Sequence, residues 1–145
     1  MSEEMSVYER ALAREKASSQ RKRPSHKESD LQMQCVRWFA YQHQSLRPLL
    51  FAVPNGGRRD ARTGAILKAE GVHAGVADMI LFVPNTCYHA LCIEMKTATG
   101  SQSKLQKEWQ AAVEAMDYKY VVCRSLDDFM REVTDYLNMG YPVNS

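Results

Sequence analysis

No stretch of this chain is apolar for anything near the roughly 20 residues that a membrane-spanning helix needs, and its opening, MSEEMSVYERALAREK, has no apolar signal-peptide core. A cytoplasmic location is the expectation that follows. The cysteines are few, Cys35, Cys87, Cys92 and Cys123, and no two stand in a C-x-x-C pair. Three of them lie inside apolar periodic segments, so they read as reduced core residues and not as a zinc site or a disulfide framework. No internal repeat is visible. Net charge is only +2, so bulk charge announces no nucleic-acid partner.

What is present suits one soluble domain. The chain has 145 residues, 45% of them hydrophobic and 25% charged, which is long enough to bury a proper core. Charge is uneven along it. Residues 1–27 hold seven Lys or Arg against four Glu, including RKRPSHK, and Arg58, Arg59, Arg62 and Lys68 cluster farther on. Such clusters suit a phosphate backbone, and charge alone is equally served by a solvated tail and a solvated helix face.

Residues 1–24 read as a basic polar appendage and residues 25–140 as the folded domain. The segment ESDLQMQCVRWFAYQHQ has helical apolar spacing, with Ser29 as the expected N-cap and Gln32 as its capping-box partner. LLFAVPN follows as a short buried strand, and RDARTGAILKAEGV as a helix ended by Gly71. Met79–Val83 and Ala90–Met95 read as paired strands around the turn formers Pro84, Asn85 and Thr86. SKLQKEWQAAVEAM is a helix capped by Ser103 and Gln106, with Leu105, Trp109, Ala112, Val113 and Met116 as its apolar face. YKYVVCRS is a strand and SLDDFMREVTDYL the last helix. The order α-β-α-β-β-α-β-α predicts an α/β fold, a mixed central sheet of about four strands flanked by helices.

The chemistry gathers at one end of the hairpin. Asp78 opens its first strand, while Glu94 and Lys96 close the second and share a face, since strand side chains alternate. Pairing brings Asp78 toward Glu94. A surface ion network is the plain reading of such a trio; against it, the charges stand where a buried strand emerges, and AGVAD surrounds Asp78 with small residues that leave room for a ligand. Two hard carboxylates suit Mg²⁺ or Mn²⁺, and a neighbouring lysine suits orientation of an attacking water.

The pattern Asp78, Glu94-Met95-Lys96 resembles the D…(D/E)-x-K signature of the restriction-endonuclease-like superfamily. With ESDLQ, FAVPNGGRRD, LKAEGVHAGVADMILFVP, LCIEMKTATGSQSKLQKEW and YVVCRSLDDF in this order, residues 27–137 resemble the VRR-NUC family, the virus-type replication-repair nuclease domain. The resemblance implies a restriction-endonuclease-like core, Asp78 and Glu94 as metal ligands and Lys96 as the catalytic lysine. It adds Glu28 to the metal site, where the other reading is a carboxylate favoured by the dipole just outside the first helix. Gln106 matches the family glutamine, a role compatible with its capping box. The family's proline before the aspartate is Ala77 here, a change of backbone shape and not of a ligand.

VPNGGRRDARTGAILKAEG suits phosphate contact through Asn55, Arg58, Arg59, Arg62 and Lys68, although it lacks the G-K-[ST] of a Walker loop and is equally readable as a turn before a solvated helix. His73 lies near Asp78 in sequence; His26, His43 and His89 receive no role. The expected protein is a Mg²⁺-dependent DNA phosphodiesterase, and the resemblance implies structure-selective endonuclease action on branched DNA as a homodimer, in the manner of Holliday-junction resolvases. The alternatives are a non-catalytic DNA-binding module, or a nuclease for linear or single-stranded nucleic acid.

Overall fold

In the computed structural model, which describes residues 23–54 and 61–140, the one fully buried strand is an inner strand of a four-stranded sheet. The strands are β1 (Leu50–Ala52), β2 (Met79–Leu81), β3 (Leu91–Met95) and β4 (Lys119–Cys123), side by side in that order. β1 and β2, and β2 and β3, run antiparallel, and β3 and β4 parallel. The helices are α1 (Arg23–Gln42), α2 (Ala61–Ala69), α3 (Lys104–Glu114) and α4 (Leu126–Asn138), with a 3₁₀ turn over Gln44–Leu49. This is the mixed sheet and element order read from the sequence. A parallel β3–β4 pair needs a crossover, and α3 supplies it.

β3 is buried along its whole length, so each face of it needs a cover. Leu91, Ile93 and Met95 join Met79, Leu81 and Cys123 beneath α1 and α4, which contribute Cys35, Phe39, Phe129, Val133 and Tyr136. On the opposite face, Cys92 and Tyr120 join Ala77, with Trp109 and Val113 of α3 packed over them. Removing a side chain such as Ile93 would forfeit about 1.5–3 kcal/mol of apolar burial before any cavity cost. Cys35, Cys92 and Cys123 are buried. Burial pushes Cys92 up to about 11 and Cys35 and Cys123 up to about 12, which keeps these thiols protonated and unreactive.

Four local expectations differ from what is observed. α1 begins at Arg23, so Ser29 lies inside it and is no N-cap; Pro24 falls in the first turn, where its missing N–H is no loss, and nothing in RPSHKE stops the helix. β1 is an edge strand with Phe51 45% exposed, and not a buried one, because it has a partner on one side only among the described residues. The β2–β3 connection is the loop 82–90, longer than the turn formers Pro84, Asn85 and Thr86 by themselves: the Asn85 side chain accepts from the N–H groups of Cys87 and Tyr88 and donates to the Tyr136 carbonyl. On α3, Leu105 and Ala112 are exposed, Met116 lies exposed beyond the helix end, and the inward face is Gln106, Trp109, Gln110 and Val113. The Ser103–Gln106 capping box is formed, and Gly71, at φ 104°, follows the end of α2 as expected.

Candidate active site

The register of β2 on β3 pairs Met79 with Ile93, so the next pair outward is Asp78 and Glu94. Directly opposed residues share a face, and this pair lies on the face covered by α3. Asp78 is half-buried and its Oδ2 accepts the Met95 N–H at 2.7 Å. Burial raises its carboxyl above the ordinary value; the Met95 N–H opposes that, Glu94 and Glu28 add to it, and Lys96 counters.

Glu94 is only 1% exposed. Its Oε2 accepts two hydrogen bonds, from the Tyr120 hydroxyl at 2.8 Å and from Gln102 Nε2 at 2.9 Å. Tyr120 reaches it because β4 lies beside β3, with Cys92 paired to Tyr120 and Glu94 to Val122. Burial first, then the Glu94 carboxylate, raise the Tyr120 phenol above its ordinary value, so the hydroxyl keeps its proton and donates. Oε1 is different: it is fully buried, and no hydrogen-bond donor among the described residues reaches it. Lys96 Nζ stands 3.8 Å away, an ion pair too long for a hydrogen bond.

Gln102 is held by a chain of amides. Its Nε2 also donates to Gln110 Oε1 at 2.9 Å, and Gln110 Nε2 donates to Glu114 Oε1 at 2.6 Å. The acceptors at both ends set the direction of every amide between them. The loop that carries Gln102 is tied down by Arg124, whose Nη1 donates to the carbonyls of Thr97 at 2.7 Å and Gly100 at 2.6 Å.

A divalent cation suits this donor set. An unsatisfied acceptor on a buried charged group costs more than the ~1–3 kcal/mol of a neutral one, and Oε1 faces that cost beside a second carboxylate and a lysine. Among the described residues no three His, Cys, Asp or Glu side chains gather into a cage. Asp78 and Glu94 would therefore hold the ion as a pair, with oxygens from substrate and water completing the shell, which is how Mg²⁺ is commonly held.

The other expected site residues are placed less tightly. Glu28 lies inside α1 and not just outside its first turn, so the dipole alternative does not apply in that form. It is half-buried and near enough to act on Asp78, yet it forms no three-residue cluster with Asp78 and Glu94. The Gln106 side chain closes the capping box by accepting the Ser103 N–H, so Gln102 and not Gln106 touches Glu94. Arg62 and Lys68 are exposed on α2, none of whose residues is buried. Asn55, Arg58 and Arg59 lie outside the described residues, as does the appendage up to residue 22. His73 is exposed and bonds the Ala74 carbonyl.

Tyr120, Gln102 and Gln110 were missed by reading the sequence. For Tyr120 the sequence carried no signal, because its place beside Glu94 follows from the β3–β4 pairing of distant residues. For the glutamines there was none, because a search by apolar spacing passes over an inward polar face.

Comparison with known proteins agrees with this fold. The model of the VRR-NUC domain matches residues 13–127. A solved structure described as a VRR_NUC domain protein superposes with a TM-score of 0.71 at 24% identity, over 80% of this chain and 92% of that one. None of the curated proteins matches.

Proposed function

We propose a function that starts from family: the chain belongs to the VRR-NUC domain family, which is nuclease-like, and we read it as a metal-dependent endonuclease for branched DNA. The observation that carries this is the buried Glu94 Oε1, which accepts no hydrogen bond among the described residues, beside Asp78 and Lys96. A bound Mg²⁺ or Mn²⁺ would lower the pKa of a water and withdraw charge from a phosphate oxygen. Asp78 and Glu94 would hold that ion, and Glu28 would add negative charge from the α1 side. Lys96 would orient the attacking water and balance charge developing on phosphorus.

Arg62 and Lys68, exposed on α2, suit contact with the anionic backbone, and Asn55, Arg58 and Arg59 precede them in the same basic segment. Such contacts position DNA without reading its sequence, which suits recognition by shape. One domain with one such site makes one cut, so symmetric cleavage of a four-way junction calls for a homodimer.

The test is cleavage of labelled four-way junctions, forks, flaps, linear duplex and single strands, with Mg²⁺, with Mn²⁺ and with a chelator. Wild-type protein should cut branched substrates only with metal. Asp78→Ala and Glu94→Ala should bind junctions and leave them intact, since phosphate contacts supply most of the affinity. Binding without cleavage by the wild type in either metal would make the protein a DNA-binding module, and preference for linear or single-stranded substrates would remove the branched-DNA assignment.

A further inference from the structure

Glu94 does not offer its two oxygens equally. A carboxylate oxygen has two lone-pair positions, and those of Oε2 are both used, by the Tyr120 hydroxyl at 2.8 Å and Gln102 Nε2 at 2.9 Å. Neither donor is free to drift. Tyr120 is fixed in β4 and packed edge-on against Trp109, with ring centroids 6.0 Å apart. Gln102 is held by Gln110, and its loop by Arg124. Oε1 is thereby left as the one acceptor of Glu94 that no donor among the described residues satisfies. Asp78 is held by a single donor, its Oδ2 accepting the Met95 N–H at 2.7 Å.

We propose that Tyr120 and Gln102 are positioning residues that make Glu94 a one-oxygen ligand and so bias the site toward small divalent cations, Mg²⁺ and Mn²⁺, against Ca²⁺. This rests on the reading of the site as a metal centre. The two classes of cation differ in what they ask of carboxylates. Ca²⁺ takes more oxygens at longer distances, in flexible shells, and readily uses both oxygens of one carboxylate. Mg²⁺ demands near-octahedral order and is commonly bound through one or two carboxylates with waters and substrate. A glutamate whose second oxygen is held by two donors cannot swing to offer both. Outer partners of this kind typically alter metal affinity by about 10–100-fold when removed.

The experiment measures Mn²⁺ binding by electron paramagnetic resonance and by calorimetry, and Ca²⁺ binding by competition, in the metal-free full chain. Wild type, Tyr120→Phe, Gln102→Ala and the double variant are compared, with a thermal melt of each. Tyr120→Phe removes one oxygen and keeps the ring against Trp109; if it fails to fold, Gln102→Ala in its half-buried loop reads the same quantity. The expected result is that the Ca²⁺ to Mn²⁺ ratio of dissociation constants falls by about tenfold or more in the variants, with a broadened bound-Mn²⁺ spectrum. An unchanged ratio, or an equal loss of both affinities, overturns the proposal while the metal-centre reading stands. A wild-type chain that binds no Mn²⁺ and cuts no DNA overturns both.

Discussion

Gly75 sits against the first turn of α3 so closely that a Cβ on it would lie 2.6 Å from the carbonyl carbon and oxygen of Leu105 and 3.0 Å from the Gln106 nitrogen. The segment leading to Asp78 and the helix covering Glu94 are thus set at backbone contact distance, and Gly75 holds the positive φ of 86° that the approach requires.

Gly75→Ala should therefore be costly twice over. The left-handed backbone alone is worth about 1–3 kcal/mol, and the obstructing atoms are main chain and cannot rotate away. Urea denaturation should show a loss of at least that size. Gly64→Ala, inside α2 with nothing within 4 Å of the added carbon, should instead stabilise by about 0.5–1 kcal/mol. Equal stability of the two variants would mean that α3 is not seated on this loop.

Asp78 predicts a pH dependence whose sign is set by burial. Its carboxyl is raised above the value it has in the unfolded chain, first by desolvation. Between the unfolded and the folded value the native state binds more protons, so its contribution to stability is present at low pH and is lost as pH rises through the folded value. In metal-free protein, Asp78→Asn should melt higher than wild type at neutral pH, and the advantage should vanish on acidification below the ordinary carboxylate range. A variant less stable than wild type at neutral pH would show that the carboxylate is stabilised where it stands.

Lys96→Ala should separate chemistry from metal binding. Its ammonium is 3.8 Å from Glu94 Oε1 and competes with a cation for the same carboxylate charge. Mn²⁺ affinity should hold or rise, while single-turnover cleavage falls by about 10²-fold or more. In a dimer of one wild-type and one Lys96→Ala chain, a four-way junction should be nicked on one strand and no further. Two cuts at the normal rate would remove either the lysine's role or the fixed dimer.

Arg124 offers a milder perturbation from outside the carboxylate pair. It is exposed, so losing its bonds to Thr97 and Gly100 should lower the melting temperature little. The loop bearing Gln102 should loosen nonetheless. Arg124→Ala is expected to reduce kcat more than it alters DNA affinity, and hydrogen exchange should rise over residues 97–102. Unchanged exchange there would show that the capping box of α3 holds the loop by itself.

Some of this was written in the chain itself. Asp78, Glu94 and Lys96 stood out because a strand alternates its faces and a hairpin sets its open ends together, both local rules that need no third dimension. The α-β-α-β-β-α-β-α order was legible for the same reason, through period-two and period-3.6 apolar patterns. The Ser103–Gln106 box was legible too, since both partners lie within one helical turn.

Tertiary structure alone decided the rest. Tyr120 reaches Glu94 only because β4 adds to β3 in parallel after the α3 crossover, a pairing between distant residues that no local pattern encodes. The same crossover lays Gln110 inward and brings Gln102 to Oε2, beside Trp109 and Val113, the two members of the expected apolar stripe that do meet the sheet. Apolar periodicity measures how much a position gains by leaving water; it is silent about a buried carboxylate that must be met by donors. Wherever Glu94 had to be satisfied, the long-range packing chose the residues.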